Sequence, residues 1–411
     1  MRHISGPLAI VMTALAFGPG GTLSAQDAET LYQDKCGRCH APYTPESYAA
    51  EEWPGIVRSM RAQAALTAEE EQLLTAYLTA LAEKEGGSGG VAHGPTVGGY
   101  LYTEYFQDQE KAKNFDIHYL AVTLSGWAAD NIQYFGEIEL EHGGTGGNNT
   151  FVEQAYIDYW FTPGLALKIG AIITPFNRFD ELHDPLSNFT ISRPQVSREI
   201  GVSAWKDVGV VFHGFKNFSE DLSLFFDAYT INGLGDGSDL RGSRQYRDNN
   251  EDRALGGRVN LVYRDFLEVG ASGYNGAWDD DGDYDLTLLG GYVQLRTPIA
   301  DFWGEYSAGD SENPSPEEAG DMSGYFFQAS RLFQDRFRPT IRFGALDYLD
   351  PGSQLGRDAS KGDKDLTETV FSFAYYPTSM VAFKAEYIVF SEGRGEQTDN
   401  NLFGLQAAVR F

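Results

Sequence analysis

The sequence predicts a two-part chain: a small all-α domain followed by an all-β transmembrane barrel of about sixteen antiparallel strands. Three observations carry this expectation. Residues 26–85 space their apolar positions for helices, whereas from Val97 onward apolar and polar residues alternate with a period of two. The connections in the second part also alternate between short turns and long polar loops, as in bacterial outer-membrane barrels. Composition agrees: 42% of the 411 residues are hydrophobic and 14% aromatic, with 47 glycines. No run of eighteen apolar residues follows the N-terminus, which argues against membrane-spanning helices. With 31 Lys+Arg against 59 Asp+Glu the net charge is -28, the wrong sign for binding nucleic acid.

At the N-terminus, Arg2 and His3 precede an apolar run over residues 7–17, and Leu23-Ser24-Ala25 ends in a small residue before Gln26. Residues 1–25 therefore read as a secretory signal peptide, and the mature chain as exported. A first helix over residues 28–35 leads into Cys36-Gly37-Arg38-Cys39-His40. Two thiols at this spacing add across the two vinyl groups of a porphyrin, and the following His ligates the iron. One covalently attached haem c is expected, because Cys36 and Cys39 are the only cysteines. A thioredoxin-like disulfide would need a strand before the motif, and a structural zinc would need a second ligand pair.

A second helix is expected over residues 51–65. The capping box Thr67-Ala68-Glu69-Glu70 opens a third, with Leu73, Leu74, Tyr77, Leu78 and Leu81 on one stripe. This order of helix, CxxCH, loop, helix and Leu-rich last helix resembles the class I cytochromes c. The resemblance implies that the first and last helices grip the haem and that Pro42 follows the proximal ligand. Met60, the segment's single methionine, is then the candidate sixth ligand beside His40, and a Met ligand raises the reduction potential. Two other readings stand beside it: Trp53, Ile56, Val57 and Met60 as a plain core stripe, and His93 as the ligand in place of Met60. Gly86-Gly87-Ser88-Gly89-Gly90 marks a flexible linker, so the mono-haem domain is bounded at 26–85, the linker at 86–96 and the barrel at 97–411.

Strands are expected near Val97, Phe115, Asn131, Phe151, Leu165, Val208, Leu222, Leu255, Phe266, Tyr284, Asp301, Ser323, Phe337, Asp365, Met380 and Asn401. The last shows the pattern most clearly, with Phe403, Leu405, Ala407, Val409 and Phe411 on one face. A terminal Phe on such a strand resembles the signal that barrels present to their assembly machinery. Short turns fall at Thr162-Pro163-Gly164, Arg264-Asp265, Thr297-Pro298, Gln334-Asp335-Arg336 and Pro377-Thr378-Ser379. Residues 177–206, 232–254, 309–322 and 350–364 read as long outer loops, and an even strand number places both termini in the periplasm. A soluble β-sandwich would not require this one-sided asymmetry. Inside the barrel, Glu137, Glu139 and Glu141 are expected as an acidic ladder opposite lipid-facing Ile132, Tyr134, Ile138 and Leu140, answered by Lys168, Arg258, Arg296 and Arg342. The run Asp279-Asp280-Asp281-Gly282-Asp283 reads either as a solvated acidic loop or as a holder of a divalent cation.

The run Phe151-Val152-Glu153-Gln154-Ala155-Tyr156-Ile157-Asp158-Tyr159, with Gly170, Pro175-Phe176 and Trp205-Lys206-Asp207-Val208-Gly209-Val210, is similar to barrels of the phosphate-selective porin O and P type. Phosphate selectivity itself would call for a basic constriction, and the charge runs the other way. The whole layout resembles the fused cytochrome-porins of the bacterial outer membrane, a group with iron-oxidising members. It implies an electron conduit whose haem domain lies in the periplasm or in the barrel lumen. Its partners would be a periplasmic cytochrome or other redox carrier, outer-membrane lipid, and an extracellular electron donor or acceptor such as ferrous iron. The alternative is a diffusion porin carrying a periplasmic cytochrome appendage, and a haem enzyme with an open iron site is a third reading.

Overall fold

The computed structural model describes residues 25–36, 45, 49–50, 53–60, 66, 68–85 and 95–411, apart from 109–113, 130, 145–149, 163, 183, 220, 236–239, 265, 313–319, 349–363, 379 and 394–399. Three helices come first: α1 (Ala25–Cys36), α2 (Trp53–Met60) and α3 (Ala68–Glu85). They share a buried cluster of Tyr32, Trp53, Val57, Leu66, Leu74, Leu78 and Ala82. The stripe expected on α3 divides: Leu74 and Leu78 are fully buried, while Leu73, Tyr77 and Leu81 are only half-buried.

The rest of the described chain is a closed barrel of sixteen antiparallel strands. The first eight are β1 (Thr96–Asp108), β2 (Asn114–Ala129), β3 (Ile132–Glu141), β4 (Thr150–Thr162), β5 (Leu165–Ile173), β6 (Lys206–Asn217), β7 (Leu222–Ile231) and β8 (Ala254–Tyr263). The second eight are β9 (Leu267–Ala277), β10 (Asp285–Arg296), β11 (Asp301–Ser311), β12 (Gly320–Ser330), β13 (Phe337–Tyr348), β14 (Lys364–Thr378), β15 (Val381–Glu392) and β16 (Leu402–Arg410). All sixteen expected runs are strands. Neighbours in sequence are neighbours in space, and the sheet closes where β1 meets β16 with Tyr100 opposite Arg410. Gly99 and Phe411 exchange both backbone hydrogen bonds at 2.9 Å, which finishes the seam.

Side-chain alternation follows the pleat, because successive residues of a strand point to opposite faces. Ile157, Ile169, Phe371, Phe383 and Leu405 stand exposed on the outside, while Asp158, Val370, Lys384 and Gln406 are buried inside. An apolar outer wall with every backbone group paired around a closed ring is what a bilayer interior requires. Short turns join β2 to β3, β4 to β5, β6 to β7 and so on at one end, with left-handed φ at Arg264, Gln334 and Asp335 among them. Longer connections lie at the other end.

Residues 177–206 depart from expectation. Instead of lying outside, the segment between β5 and β6 folds into the lumen as a strap. Its Phe176, Phe179, Val196, Ile200, Val202 and Trp205 are all buried and belong to the largest apolar cluster among the described residues. Part of the 232–254 loop follows it inward, with Leu234 and Leu240 fully buried in the same cluster. The physical reason is burial: these segments carry large apolar side chains, and the interior walls offer Tyr274, Trp303 and Phe326 to cover them.

Candidate functional site

Cys36 is the last residue of α1, and Lys35 in the same last turn complements the negative end of the helix dipole. Lys35 Nζ reaches Glu70 Oε1 at 3.3 Å, tying the end of α1 to the first turn of α3. Tyr32, one turn earlier, meets Trp53 edge-on with centroids 6.3 Å apart, and Trp53 Nε1 donates to the Pro45 carbonyl at 2.8 Å. Cys36 packs against the margin of the helical cluster, as half-buried Leu31, Ala50, Ile56 and Tyr77 do. An apolar margin with a thiol on it suits a flat porphyrin held by a thioether, so the described residues fit a c-type haem. Cys39, His40 and His93 lie outside the described residues. Met60 ends α2, and its side chain lies outside them as well. A groove of about 540 Å³ between Pro54 and Glu71, Thr75, Ala76 and Thr79 lies on a different face of α3 and does not include Cys36.

The lumen is the second part of the site. Glu137 and Glu139 face inward as expected and are buried, and Glu141 follows on the same face. They do not line an open acidic path. Glu139 accepts from Tyr100 Oη at 2.5 Å, Glu137 accepts from Gln154 Nε2 at 3.2 Å, and Lys206 pairs with Glu153 and lies 3.7 Å from Glu139. Lys168 sits over the Tyr156 ring at 4.4 Å. Arg296 shares a face with Gln294 but lies exposed at the short-turn rim.

Arg258 and Arg342 hold the strap, a role that the sequence did not disclose. Arg258 donates to Glu181 Oε1 at 2.6 Å, to Asp227 Oδ2 at 2.9 Å and to the Asn177 carbonyl at 2.7 Å. Arg342, fully buried, bonds Thr190 Oγ1 and the Ser192 carbonyl at 2.9 Å each and Ser192 Oγ at 2.7 Å. Carboxylates on the far walls accept the strap's backbone: Glu386 from Ile191 and Ser192 at 2.8 and 2.9 Å, Glu368 from Gln195 at 3.0 Å, and Glu305 from Arg178 at 3.1 Å. Asp184 pairs with Arg410, and Lys384 binds the Pro185 and Thr190 carbonyls. From the loop side, Arg244 clamps the Ser203 and Ala204 carbonyls at 3.1 and 2.8 Å. Asn177, Val202 and Ala204 take left-handed φ, a cost that only such dense anchoring sustains. The wall carboxylates Glu305, Glu368 and Glu386 are each at most 3% exposed, so the strap excludes bulk solvent from them.

The acidic loop uses its own charges: Asp279 Oδ1 accepts from the Asp283 and Tyr284 backbone at 2.9 Å each, and Asp280 Oδ1 accepts from Asn249 at 2.9 Å. Among the described residues, no group of three or more His, Cys, Asp or Glu side chains could hold a metal ion.

Residues 32–114 match the family described as dihaem cytochrome c. An uncharacterized protein of Aquifex aeolicus (strain VF5) is 24% identical over 360 residues, covering 78% of this chain and 80% of its own length. Among solved structures, the anion-selective porin from Comamonas acidovorans superposes with a TM-score of 0.57 at 12% identity, covering 77% of this chain and 98% of the porin. OmpT of Vibrio cholerae, in its trimer form, gives 0.57 at 13% identity, with 77% and 99% covered. The outer membrane channel DcaP of Acinetobacter baumannii gives 0.52 at 15%, with 77% and 97% covered. These likenesses establish a porin-type barrel fold.

Proposed function

We propose that this chain is an electron-transfer protein of the bacterial outer membrane, with a c-type haem carried on a porin-type barrel. Cys36 and Cys39 hold the porphyrin covalently, His40 is the proximal iron ligand and Met60 the distal one. The single observation that carries the reading is the Cys36-to-His40 motif, inside the segment matched by a cytochrome c family, in one chain with a closed sixteen-strand barrel. Bound there, haem c supplies a one-electron centre, and two protein ligands saturate the iron and favour electron transfer over oxygen chemistry. The family's description implies two haems, but two cysteines suffice for one covalent attachment, so one haem c per chain is the stoichiometry proposed.

The short-turn end, with both termini, faces the periplasm and a soluble redox carrier there. The long-loop end faces outward, where acidic loops attract a cationic donor or acceptor. Ferrous iron belongs to that charge class, and nothing in the matches singles it out. The strap supports electron transfer over solute flow, because it crosses the lumen and buries the wall charges. Protein in liposomes, given a membrane-impermeant donor only on the long-loop side, is expected to show reduction of the haem bands. A haem that stays oxidised there while dithionite reduces it overturns the proposal.

The porin-type fold favours a second reading, a diffusion channel with a periplasmic cytochrome appendage. Large, stable conductance steps in planar bilayers would select it, whereas the inward-folded, wall-anchored strap leads us to expect little conductance.

A further inference from the structure

Two strands that run toward the short-turn end finish on the same pattern: an aromatic ring, a cation four residues on, and a second ring two beyond that. On β6 these are Phe212, Lys216 and Phe218; at the end of β12 they are Phe327, Arg331 and Phe333. Residues two and four apart in a strand share a face, and here that face is the outer wall. All four phenylalanines stand exposed, whereas the alternate residues Val211, Gln328 and Ser330 are buried inside. Each cation lies over its second ring, Lys216 Nζ 5.5 Å from the Phe218 centroid and Arg331 Cζ 5.0 Å from that of Phe333. Each first ring meets an aromatic on the neighbouring strand, Phe212 with Phe226 at 5.9 Å and Phe327 with Phe302 at 6.0 Å. Among the described residues neither cation has an ion-pair partner. Arg264 at the same rim differs: it lies over Tyr263, but Asp221 holds it at 3.0 Å.

We infer that Lys216 and Arg331 each bind the phosphate of an anionic phospholipid in the leaflet at the short-turn end. Aromatic rings on a barrel wall mark the level of the headgroups, and a long basic side chain reaches that level while its stem stays on apolar surface. The first ring of each pattern lies deeper, where an acyl chain runs along the wall. A ring face holds a cation without neutralising it, so the charge is open to a phosphate oxygen. The headgroup has to carry net negative charge, because a zwitterionic one brings its own cation to its phosphate. The molecule as a whole bears a net charge of -28 and repels an anionic surface, so a preference for anionic lipid has to come from local sites such as these. The inference rests on the reading of the barrel as membrane-spanning and not on the haem.

The full-length protein is first floated with vesicles of phosphatidylcholine alone. Co-flotation upholds the membrane reading; failure to float overturns that reading and this proposal together. The detergent-purified protein is then given equal amounts of phosphatidylglycerol and phosphatidylcholine, and the retained lipids are counted by native mass spectrometry. One phosphatidylglycerol per cation is expected, favoured about fivefold over phosphatidylcholine, the ratio that one basic residue near an anionic surface supplies. Lys216→Gln and Arg331→Gln should each remove one lipid, and the double variant should show no preference. Arg264→Gln should keep both, because Asp221 already neutralises that charge. Inorganic phosphate in large excess should leave the lipid in place; displacement would mean a site for free phosphate and overturn the lipid assignment. Equal retention of the two lipids by wild type, or an undiminished preference in a double variant with unchanged circular dichroism, overturns the proposal while the membrane reading stands.

Discussion

Replacing Arg258 by alanine asks whether the strap keeps the barrel closed, and the structure sets the size of the effect. Arg258 is 8% exposed and bridges the strap's Glu181 and Asn177 to Asp227 on β7. Burial alone would raise the Glu181 carboxyl, but Arg258 and, second, Arg178 outweigh it and hold it at about 2 against an ordinary 4.5. Each unit of pKa is worth about 1.4 kcal/mol, so the net shift corresponds to about 3 kcal/mol in favour of the closed arrangement, with Arg258 its largest attractive cause. Solvent screening lowers the figure somewhat, since Glu181 keeps 27% of its side-chain surface in water. Loss of roughly 2 kcal/mol shifts the closed-to-open ratio by about 30-fold. Single-channel recording in planar bilayers should show open events that are rare in wild type and roughly thirty times more frequent in Arg258→Ala. Arg258→Lys should fall between them, since an ammonium keeps the charge but loses the fork geometry. An unchanged open probability in a correctly folded Arg258→Ala barrel would refute the assignment of the strap as the closing element.

Acidification should act on the same contact. A carboxyl held below its unfolded value stabilises fully above about pH 4.5, and that stabilisation disappears as pH falls toward 2. Open probability is therefore expected to rise over that window, with a flatter profile in Arg258→Ala. Gly290→Val should also loosen the strap, because a Cβ there would meet Asn177 Oδ1 at 2.1 Å and Ser272 Oγ at 2.5 Å; increased conductance without loss of strand content would bear this out. Met60→Ala should lower the haem potential within the roughly 0.8 V range that axial ligands span, and redox titration with no change would remove Met60 from the iron. Trp53→Ala should cost about 3–5 kcal/mol of helical-cluster stability, since the ring is 1% exposed, and thermal melts of the haem band would register it.

The barrel was legible because alternation is a local property. Phe403, Leu405, Ala407 and Val409 must face lipid whatever the rest of the chain does, and turn pairs such as Arg264-Asp265 announce where each hairpin reverses. The candidate haem motif stands out for a related reason: covalent attachment needs two thiols and an imidazole at fixed spacing, all within five consecutive residues.

Where the residues between β5 and β6 go was decided by tertiary structure alone. Apart from the single helical turn at Gln195–Glu199, their apolar residues follow neither the strand nor the helix period, so Phe179, Ile200 and Trp205 read as part of a polar loop. Their partners lie far along the chain: Ile191 meets Glu386 across 195 positions and Arg342 meets Ser192 across 150. The approach of His118 to His142, with ring centroids 5.3 Å apart, is similar in kind, for it depends on a bulge and a left-handed turn that no periodicity encodes. By itself the sequence determined which side chains alternate onto the outer wall and which five residues are the candidate porphyrin site, since both depend on near neighbours. What fills the cylinder had to wait for the closed ring, because only closure brings walls from distant strands within hydrogen-bonding reach of one inward segment.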